Sequence, residues 1–591
     1  MNILGISCFF HDAGAALIQD GALVAAAEEE RFSRKKHDYD FPSQAIDFCL
    51  KAGGVRGQDL DMVVFFEKPF LKFDRILRST MSTFPKSRGV FQESMIAWMT
   101  EKLWIKGQIR QHLKVDESKI VFSDHHLSHA ASAFFCSPFD EAAILTVDGV
   151  GEWATATYGI GRGTDIRVLR EIRFPHSLGL LYSAFTAFLG FEVNEGEYKV
   201  MGMAPFGQPR YVDKVWKLVS QESDGSFHLN MEYFTFHRST HQTFSRKFVD
   251  LFGPAREPDA LFFTASSGFP SYFGARPASY DSLAKQNQHY ADIAASIQVV
   301  TEEMMLKMAS HLHRETGLKR LCLAGGVALN SVANGRILRE TPFEELFIQP
   351  AAGDGGGAVG AALVGYHMIL GKPRDFVMRH AYWGQEHSVG DVDAFVRSNN
   401  VAHTRYENDD RLMTRVVEHL QAGKVIGWFQ GRFELGPRAL GNRSILADPR
   451  NPSMKDIVNT KIKFREPFRP FAPSVLVERA EEFFDLPDAA RHHPARYMLY
   501  VVDVKAGQGA RIPAVTHVDG TARLQTVDPD NAPRYRKLIH TFGQATGVPV
   551  LLNTSFNLRG EPIVNTPAEA FSTFSRSGMD VLVLGQHVIE K

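Results

Sequence analysis

Residues 142–160 read AAILTVDGVGEWATATYGI and indicate the fold of the N-terminal part of the chain. An apolar run comes first, then a short polar turn around Asp148, then a run of small and β-branched residues. This order predicts a buried strand, a turn and a second strand. Sites in α/β sheets usually form at strand ends, so Asp148 is a candidate ligand. An aspartate here is, however, also typical of a turn that binds nothing.

The same order occurs near the start of the chain, in NILGISCFFHDAGAALIQDGALVAAA at residues 2–27. Residues 2–7 predict a buried strand, and a His-Asp pair follows it after a short interval. Asp20 and Gly21 separate two further apolar runs and favour a hairpin, because they supply the positive φ angles of a type I′ turn. The echo is too short to establish a duplication, but it predicts a second polar turn at a strand end.

The remaining pattern predicts α/β elements interrupted by one irregular segment. Residues 206–281 contain several prolines and aromatics, which favours an insertion or lid over a regular core. Helices are predicted near 42–52, 290–315, 358–370 and 411–422, and strands near 321–323 and 425–429. We divide the chain into an N-terminal domain at 1–370, a junction at 371–404 and a C-terminal domain at 405–591.

Composition limits the function classes. The chain has 591 residues, of which 44% are hydrophobic and 23% charged, so it can bury a large core and is not globally disordered. Lys and Arg number 66 against 67 Asp and Glu, which argues against a dedicated nucleic-acid binder. The four cysteines form no CxxC pair and predict buried free thiols. No apolar run approaches the ~18 residues of a membrane span, so we expect a cytoplasmic protein.

A histidine pair is the first candidate metal site. His125 and His129 lie four residues apart and would share one face of a helix that begins near Asp124, a residue able to cap it. Imidazole suits a first-row transition metal, and carboxylates complete such sites. A lone pair of this kind is more often found on a surface or at a helix cap.

Two glycine-rich turns are candidate nucleotide sites. Gly325 and Gly326 follow a predicted strand, where bare backbone N–H groups can approach a nucleotide, although such a turn is often only structural. Residues 353–357 place four glycines around Asp354, which is more than a plain turn needs. Asp354 could ligate a metal whose other side faces phosphates.

Basic and polar segments in the C-terminal part indicate anion binding. Residues 431–471 hold nine Lys and Arg against four acids, interleaved with prolines, glycines and phenylalanines. Arginines fixed in rigid turns can grip phosphate or carboxylate bidentately. RNA is the competing ligand, but the near-zero net charge favours a small phosphorylated substrate. Residues 553–557, NTSFN, are a candidate phosphate turn or, equally, a satisfied polar loop.

Eight motifs occur together in the order typical of one family. They are AEEERFSRKKH at 27–37, HHLSHAASAF at 125–134, GEYKVMGMAPFG at 196–207, GGVALN at 325–330, GDGGGAVGAA at 353–362, ELGPRALGNRSILADPR at 434–450, FREPFRPFAPSV at 464–475 and LLNTSFN at 551–557. With the N-terminal His-Asp pair, they resemble the O-carbamoyltransferases of antibiotic, toxin and nodulation-factor biosynthesis. The resemblance covers almost the whole chain.

This resemblance implies an α/β protein with two domains and a two-step reaction. The N-terminal domain would be of the actin-like ATPase type, similar to the threonylcarbamoyl transferases, and the C-terminal domain would be YrdC-like. The C-terminal domain would make carbamoyl-adenylate from carbamoyl phosphate and ATP. The N-terminal domain would then pass the carbamoyl group to a hydroxyl of a small-molecule natural product and release AMP.

Site residues are implied by the same resemblance. One divalent metal, Fe²⁺ or another, would be held by His125, His129, Asp148 and Asp354, and His11 would be the general base for the acceptor hydroxyl. The nucleotide in the N-terminal domain would meet Lys199, Gly325, Gly326, Asn330, Gly353 and Gly355. Carbamoyl phosphate and ATP in the C-terminal domain would meet Lys463, Arg465, Arg469, Arg523, Ser555 and Asn557, with Arg432, Arg438 and Arg443 as secondary candidates. Mg²⁺ is a further candidate ion.

Two other functions fit the same fold. Transfer of a threonylcarbamoyl group to tRNA would use the N-terminal fold, but the neutral charge and the fused C-terminal domain disfavour it. A nucleotide-dependent sensor or scaffold would need neither the metal-type residues nor the arginines. We expect a small-molecule partner, no nucleic acid and no membrane, and a homodimer is a candidate assembly.

Overall fold

A computed structural model describes residues 1–100, 102–270, 273–463, 465–529 and 531–591. Residues 271–272 of the predicted insertion and Phe464 of the FREPFRPFAPSV motif lie outside the described residues. The described chain divides into two units. Unit 1 comprises Met1–Ala26 and Tyr39–Val377, and unit 2 comprises Ala27–Asp38 and Met378–Lys591. No helix in the described ranges is long and apolar enough to cross a membrane.

Strands and helices alternate along most of the chain. The strands are β1 (Asn2–Ser7), β2 (Gly14–Gln19), β3 (Ala22–Glu28), β4 (Met62–Phe65), β5 (Ile120–Phe122), β6 (Glu141–Val147), β7 (Ala154–Arg162), β8 (Asp165–Arg173), β9 (Val219–Gln221), β10 (Phe227–Leu229), β11 (Arg320–Ala324), β12 (Glu345–Ile348), β13 (Thr404–Arg405), β14 (Ile426–Phe429), β15 (Arg443–Ala447), β16 (Ala472–Leu476), β17 (Tyr500–Asp503), β18 (Thr521–Val527), β19 (Val550–Ser555), β20 (Val581–Leu584) and β21 (His587–Glu590). The α-helices are α1 (Glu30–Ser33), α2 (Ser43–Gly53), α3 (Pro69–Ser82), α4 (Arg88–Thr100), α5 (Ile105–Leu113), α6 (His125–Phe134), α7 (Leu178–Phe188), α8 (Glu197–Met203), α9 (Val212–Val215), α10 (Arg246–Phe252), α11 (Tyr280–Thr316), α12 (Ser331–Glu340), α13 (Gly357–Leu363), α14 (Val389–Ser398), α15 (Asp409–Gln421), α16 (Met454–Val458), α17 (Pro533–Thr546) and α18 (Pro567–Arg576).

Unit 1 contains two five-stranded sheets of equivalent topology. Their strand orders are β3-β2-β1-β4-β5 and β8-β7-β6-β11-β12. In each sheet the central strand, β1 or β6, is antiparallel to the next strand in sequence and parallel to the neighbour on its other side. The short sequence echo therefore does mark a repeated sheet, which confirms the predicted α/β class with an actin-like N-terminal domain. The predicted hairpin is also confirmed, because Asp20 and Gly21 both have positive φ angles, 47° and 88°.

The glycine-rich helix α13 packs closely on both sides. A Cβ atom added to Gly5 of β1 would stand 1.8 Å from the carbonyl oxygen of Ala358, and one added to Gly360 would stand 1.8 Å from that of Ser128 in α6. Only glycine allows backbones to approach this closely. The small residues of GDGGGAVGAA therefore bring the segment around Asp354 against the helix that carries the histidine pair.

The segment at 206–281 has few regular elements, as expected, but it is packed. The ring of Phe248 in α10 lies 5.0 Å from that of Phe185 and 5.2 Å from that of Phe188, both in α7. Phe252 completes this buried aromatic cluster. The segment thus contributes to the interior of unit 1 instead of forming only a loose lid.

Unit 2 is built on a nine-stranded mixed sheet of order β13-β21-β20-β14-β15-β19-β16-β18-β17. Leu412 of α15 and Phe542 of α17 share a buried core with Trp428 of β14. Segment 27–38 belongs to the same unit, since Arg31 donates to the carbonyl of Gly436 at 2.8 Å and lies among the buried residues.

Candidate metal and phosphate sites

The parallel strands of the second sheet in unit 1 bring three loops to one edge. Asp148 follows β6, Gly325 follows β11, and the loop at 351–357 follows β12. The N–H of Gly326 donates to Asp148 Oδ1 at 2.7 Å, and that of Gly325 donates to the Ala352 carbonyl at 2.9 Å. Three motifs that are far apart in the sequence therefore form one surface at the carboxyl ends of the strands.

Helix α6 presents the histidine pair to this edge. It begins at His125, as predicted, but Asp124 does not cap it, because the Asp124 carboxylate instead contacts Lys68 Nζ at 2.9 Å. The cap is supplied by Glu152, whose two carboxylate oxygens lie 2.9 and 3.2 Å from the backbone nitrogen of His125. A buried carboxylate at this end satisfies an open N–H group and suits the positive end of the helix dipole.

Four buried side chains converge at this point. His125, His129, Asp148 and Asp354 each place one ligand atom within 4.8 Å of the other three. His125 Nε2 lies 3.1 Å from His129 Nε2 and 3.1 Å from Asp148 Oδ2, and His129 Nε2 lies 3.3 Å from Asp354 Oδ1. Asp354 Oδ2 has no hydrogen-bond partner among the described residues. Two imidazoles and two carboxylates at these separations fit a first-row divalent cation.

The cluster is electrostatically coupled. Burial alone would raise the pKa of Asp148, but its hydrogen bond to His125 and the charge of His129 hold it well below its usual range. Burial alone would lower the pKa of His125, but Asp354, Asp148 and Glu67 raise it to about 10. The carboxylates therefore favour a cation at this position, either a proton on His125 or a metal ion.

The third histidine of the HHLSH motif has a structural role. His126 Nε2 must donate, because it lies 2.9 Å from the Ala154 carbonyl, and Nδ1 then accepts from the Thr146 hydroxyl at 2.6 Å. Burial and the neighbouring His125 lower the pKa of His126 to about 3. It is thus held neutral and fixes α6 to the second sheet.

Glu67 and Lys72 were not identified from the sequence. Both are buried, the Lys72 ammonium lies 2.6 Å from Glu67 Oε2, and this oxygen stands 3.7 Å from His125 Nδ1. Burial alone would raise the pKa of Glu67, but Lys72 and His125 lower it to about 2. An acid directly after the apolar run that forms β4 was the available signal, because it is the same pattern that identified Asp148.

The other site residues predicted in unit 1 make contacts outside the His/Asp cluster. His11 is partly buried, with its ring 4.1 Å from that of Phe10. Asn330 caps α12 through its side-chain oxygen and contacts Gln298 at 3.1 Å. Lys199 Nζ lies 5.6 Å from the ring of Phe191. The predicted nucleotide contacts of Lys199, Asn330, Gly353 and Gly355 remain predictions.

In unit 2 the structure brings three predicted residues together. Buried Lys463 donates from Nζ to Asn557 Oδ1 at 2.7 Å, to the Asn557 carbonyl at 3.0 Å and to both the carbonyl and the hydroxyl of Ser555. Burial lowers the pKa of Lys463 well below its usual range, and Arg465, Arg469 and Lys36 add to this effect. We call Lys463, Arg465, Arg469 and Lys36 the cationic cluster of unit 2. The sequence analysis missed Lys36, because this residue lies more than 400 positions before the other three in the chain.

Two of the secondary arginine candidates, Arg432 and Arg443, donate hydrogen bonds to backbone carbonyl groups. Arg443 is buried, donates to carbonyls that include Gly431 at 3.1 Å, and lies 3.7 Å over the ring of Phe429. Arg432 donates to the carbonyl of Trp383 at 2.8 Å and to that of Gly384 at 3.1 Å. These contacts favour a structural role for both arginines.

A buried carboxylate ties together the neighbouring proline- and glycine-rich loop. Glu434 Oε1 accepts from the backbone N–H groups of Leu440, Asn442 and Arg443 at 2.8, 2.8 and 3.2 Å. Arg438 lies within this loop, and Arg523 lies on β18. Their predicted contacts with carbamoyl phosphate and ATP remain predictions.

The chain thus combines a unit of two repeated α/β sheets, which holds a buried His/Asp cluster, with a second α/β unit, which holds a cationic cluster. Residues 2–363 match the carbamoyltransferase N-terminus and residues 417–591 the carbamoyltransferase C-terminus, so the chain belongs to the carbamoyltransferase family.

Its relatives agree with this assignment. Nodulation protein NolNO of Sinorhizobium fredii is 39% identical over 99% of this chain and 79% of its own length. An uncharacterized Synechocystis protein is 46% identical over 100% of this chain and 97% of its own length. The 3'-hydroxymethylcephem-O-carbamoyltransferase of Streptomyces clavuligerus is 36% identical over 42% of this chain and 44% of its own length.

Proposed function

We propose that this carbamoyltransferase is ATP-dependent, that it acts on a hydroxyl of a small-molecule natural product, and that its two units divide the reaction. The observation that carries the proposal is the convergence of His125, His129, Asp148 and Asp354 in unit 1, separate from the cationic cluster around Lys463 in unit 2. The name of the cephem relative, an O-carbamoyltransferase that acts on a hydroxymethyl compound, supports a hydroxyl acceptor.

The first step belongs to unit 2. Carbamoyl phosphate loses its phosphoryl group to water as inorganic phosphate, and the carbamate oxygen attacks the α-phosphorus of ATP. The bond to the β-phosphate oxygen breaks, so pyrophosphate leaves and carbamoyl-adenylate forms. Arg465, Arg469 and Arg523 supply the positive charge that binds the phosphate groups and stabilises the transition state, and Lys463 holds Ser555 and Asn557 in place.

The second step belongs to unit 1. The acceptor hydroxyl oxygen attacks the carbamoyl carbon while His11 takes its proton, and the bond to the adenylate oxygen breaks to release AMP. His125, His129, Asp148 and Asp354 would hold a divalent ion, Fe²⁺ or another, and such an ion would supply positive charge that stabilises negative charge developing during the transfer. The backbone N–H groups of the glycine turns at 325–326 and 353–357 are suited to the nucleotide.

The test uses no acceptor. The full chain is incubated with ATP, carbamoyl phosphate and divalent metal, and carbamoyl-adenylate and pyrophosphate are measured by mass spectrometry. The wild type should form both, and Arg523→Ala should lose both. Arg411→Ala is the control, because Arg411 is an exposed arginine of α15 in the same unit. Absence of both products from the wild-type reaction would refute the first step.

A further inference from the structure

The two nitrogens of the His125 ring have different surroundings. Nε2 faces the cluster, with His129 Nε2 and Asp148 Oδ2 each at 3.1 Å. Nδ1 is buried on the other side of the ring and has no hydrogen-bond partner among the described residues. A carboxylate oxygen, Glu67 Oε2, lies 3.7 Å from this nitrogen. This separation exceeds a normal hydrogen bond by about 0.7 Å.

Glu67 itself is held firmly in place. Its carboxylate lies 2.6 Å from Lys72 Nζ, and the two side chains are only 4% and 3% exposed. Lys72 in turn lies 4.0 Å over the ring of Phe10, whose edge faces His125 at 6.5 Å between ring centroids. The aromatic rings of Phe10 and Phe66 therefore leave the His125 ring little freedom to turn.

A metal ligand of this geometry needs its second nitrogen protonated. Nε2 can offer a lone pair to a cation only when Nδ1 carries the hydrogen, and a carboxylate beside Nδ1 favours that tautomer and makes the imidazole a stronger ligand. Nδ1 of His129 likewise has no hydrogen-bond partner among the described residues, but the ion pairs of His129, with Asp148 and Asp354, both run through Nε2. Among the described ion pairs, therefore, a carboxylate lies beside Nδ1 of His125 and none lies beside Nδ1 of His129.

We propose that Glu67 is a positioning residue that orients His125 toward the metal, and that Lys72 holds Glu67 in place for this purpose. The inference rests on the proposed metal site and extends it to two residues outside the ligand set. The competing explanation is that Glu67 and Lys72 are simply a buried ion pair that stabilises unit 1.

The test measures metal affinity on the metal-stripped full chain with Co²⁺ alone. Glu67→Gln keeps the size of the side chain and removes its charge, and it should weaken Co²⁺ binding about 10- to 100-fold and shift the visible Co²⁺ absorption bands. Glu302→Gln is the matched control. Glu302 is also a buried glutamate of unit 1 in an ion pair, 2.9 Å from Arg336, and its substitution should leave the affinity unchanged.

A double variant separates positioning from stability. Glu67→Gln with Lys72→Met leaves no unpaired charge, so its melting temperature without metal should return toward that of the wild type. The positioning role predicts that Co²⁺ affinity stays low in this variant, whereas recovery of wild-type affinity would overturn it.

Two further outcomes distinguish this inference from the site on which it rests. If His125→Ala abolishes Co²⁺ binding but Glu67→Gln binds as tightly as the wild type, the role of Glu67 is refuted and the metal site stands. If the wild type binds no Co²⁺, or binds it as well as His125→Ala does, the metal site itself is refuted, and the positioning role with it.

Discussion

A substitution outside the metal cluster should disrupt it through packing. Gly360 in α13 faces Ser128 in α6, and a Cβ atom at Gly360 would stand 1.8 Å from the Ser128 carbonyl oxygen. Ordinary contact begins at 3.4 Å, so in Gly360→Ala the two helices must separate by about 1.5 Å. Neither atom can turn away, because both are fixed to a backbone.

This separation acts directly on the cluster. Ser128 lies in α6 between His125 and His129, and Asp354 lies three residues before α13, so α6 carries two of the four ligands and the segment leading into α13 carries a third. We expect the free energy of unfolding to fall by about 1–3 kcal/mol from overpacking. Because the ligand side chains would move by more than 1 Å, the affinity of the cluster for metal should fall about 10- to 100-fold or more.

Calorimetry with Co²⁺ and urea unfolding measure the two effects. Gly107→Ala is the matched control, because Gly107 lies within α5 and a Cβ there would meet nothing within 4 Å. That control should bind metal normally and gain about 0.5–1 kcal/mol of stability from its higher helix propensity. Wild-type metal affinity and stability in Gly360→Ala would refute the packing argument.

Three other substitutions test separate parts of the structure. Arg374 donates to backbone carbonyls at the end of α6, including that of Phe134 at 2.6 Å. Arg374→Lys should therefore lower the free energy of unfolding, measured in urea, by about 2–4 kcal/mol. An unchanged free energy of unfolding would contradict this role. Burial, with the charge of Arg496, lowers the pKa of His493 from 6.5 to about 4. Between these two pH values the unfolded chain therefore binds more protons than the folded chain. The free energy of unfolding accordingly falls as the pH falls from 6.5 to about 4. His493→Asn should therefore reduce the loss of stability between pH 7 and pH 5 by about 1–2 kcal/mol, and identical urea-unfolding profiles for the two proteins would contradict this. Lys463→Met should release Asn557 and raise the KM for carbamoyl phosphate in pyrophosphate release about tenfold or more, whereas an unchanged KM would exclude Lys463 from the site.

Elements with a local cause were predictable from the sequence. The strand at 2–7 and the hairpin at Asp20 and Gly21 follow from hydrophobic patterning and from turn residues that accept positive φ angles. Asp148 and Gly325 were each placed at the end of a predicted strand, and the structure adds that the two strands are parallel neighbours. The family resemblance then joined these separate signals into one candidate site.

Features that depend on tertiary packing were not predictable in this way. The N-terminal cap of α6 comes from Glu152, which lies 27 residues beyond His125 in the chain. The adjacent Asp124 pairs with Lys68 instead. Glu67 follows β4 and His125 follows β5, and the two residues lie close together because these strands pair in parallel in the first sheet. Arg443 was a secondary ligand candidate by its charge, and a single sequence does not reveal that it lies buried against backbone carbonyls.

The division of the reaction between two units is the central claim, and one comparison tests it most directly. Carbamoyl-adenylate is measured without acceptor in the wild type, in Asp354→Asn of the unit 1 metal cluster and in Arg523→Ala of unit 2. The account predicts that Asp354→Asn still forms carbamoyl-adenylate and pyrophosphate at wild-type rates, whereas Arg523→Ala forms neither. Loss of adenylate formation in Asp354→Asn together with its retention in Arg523→Ala would contradict the account.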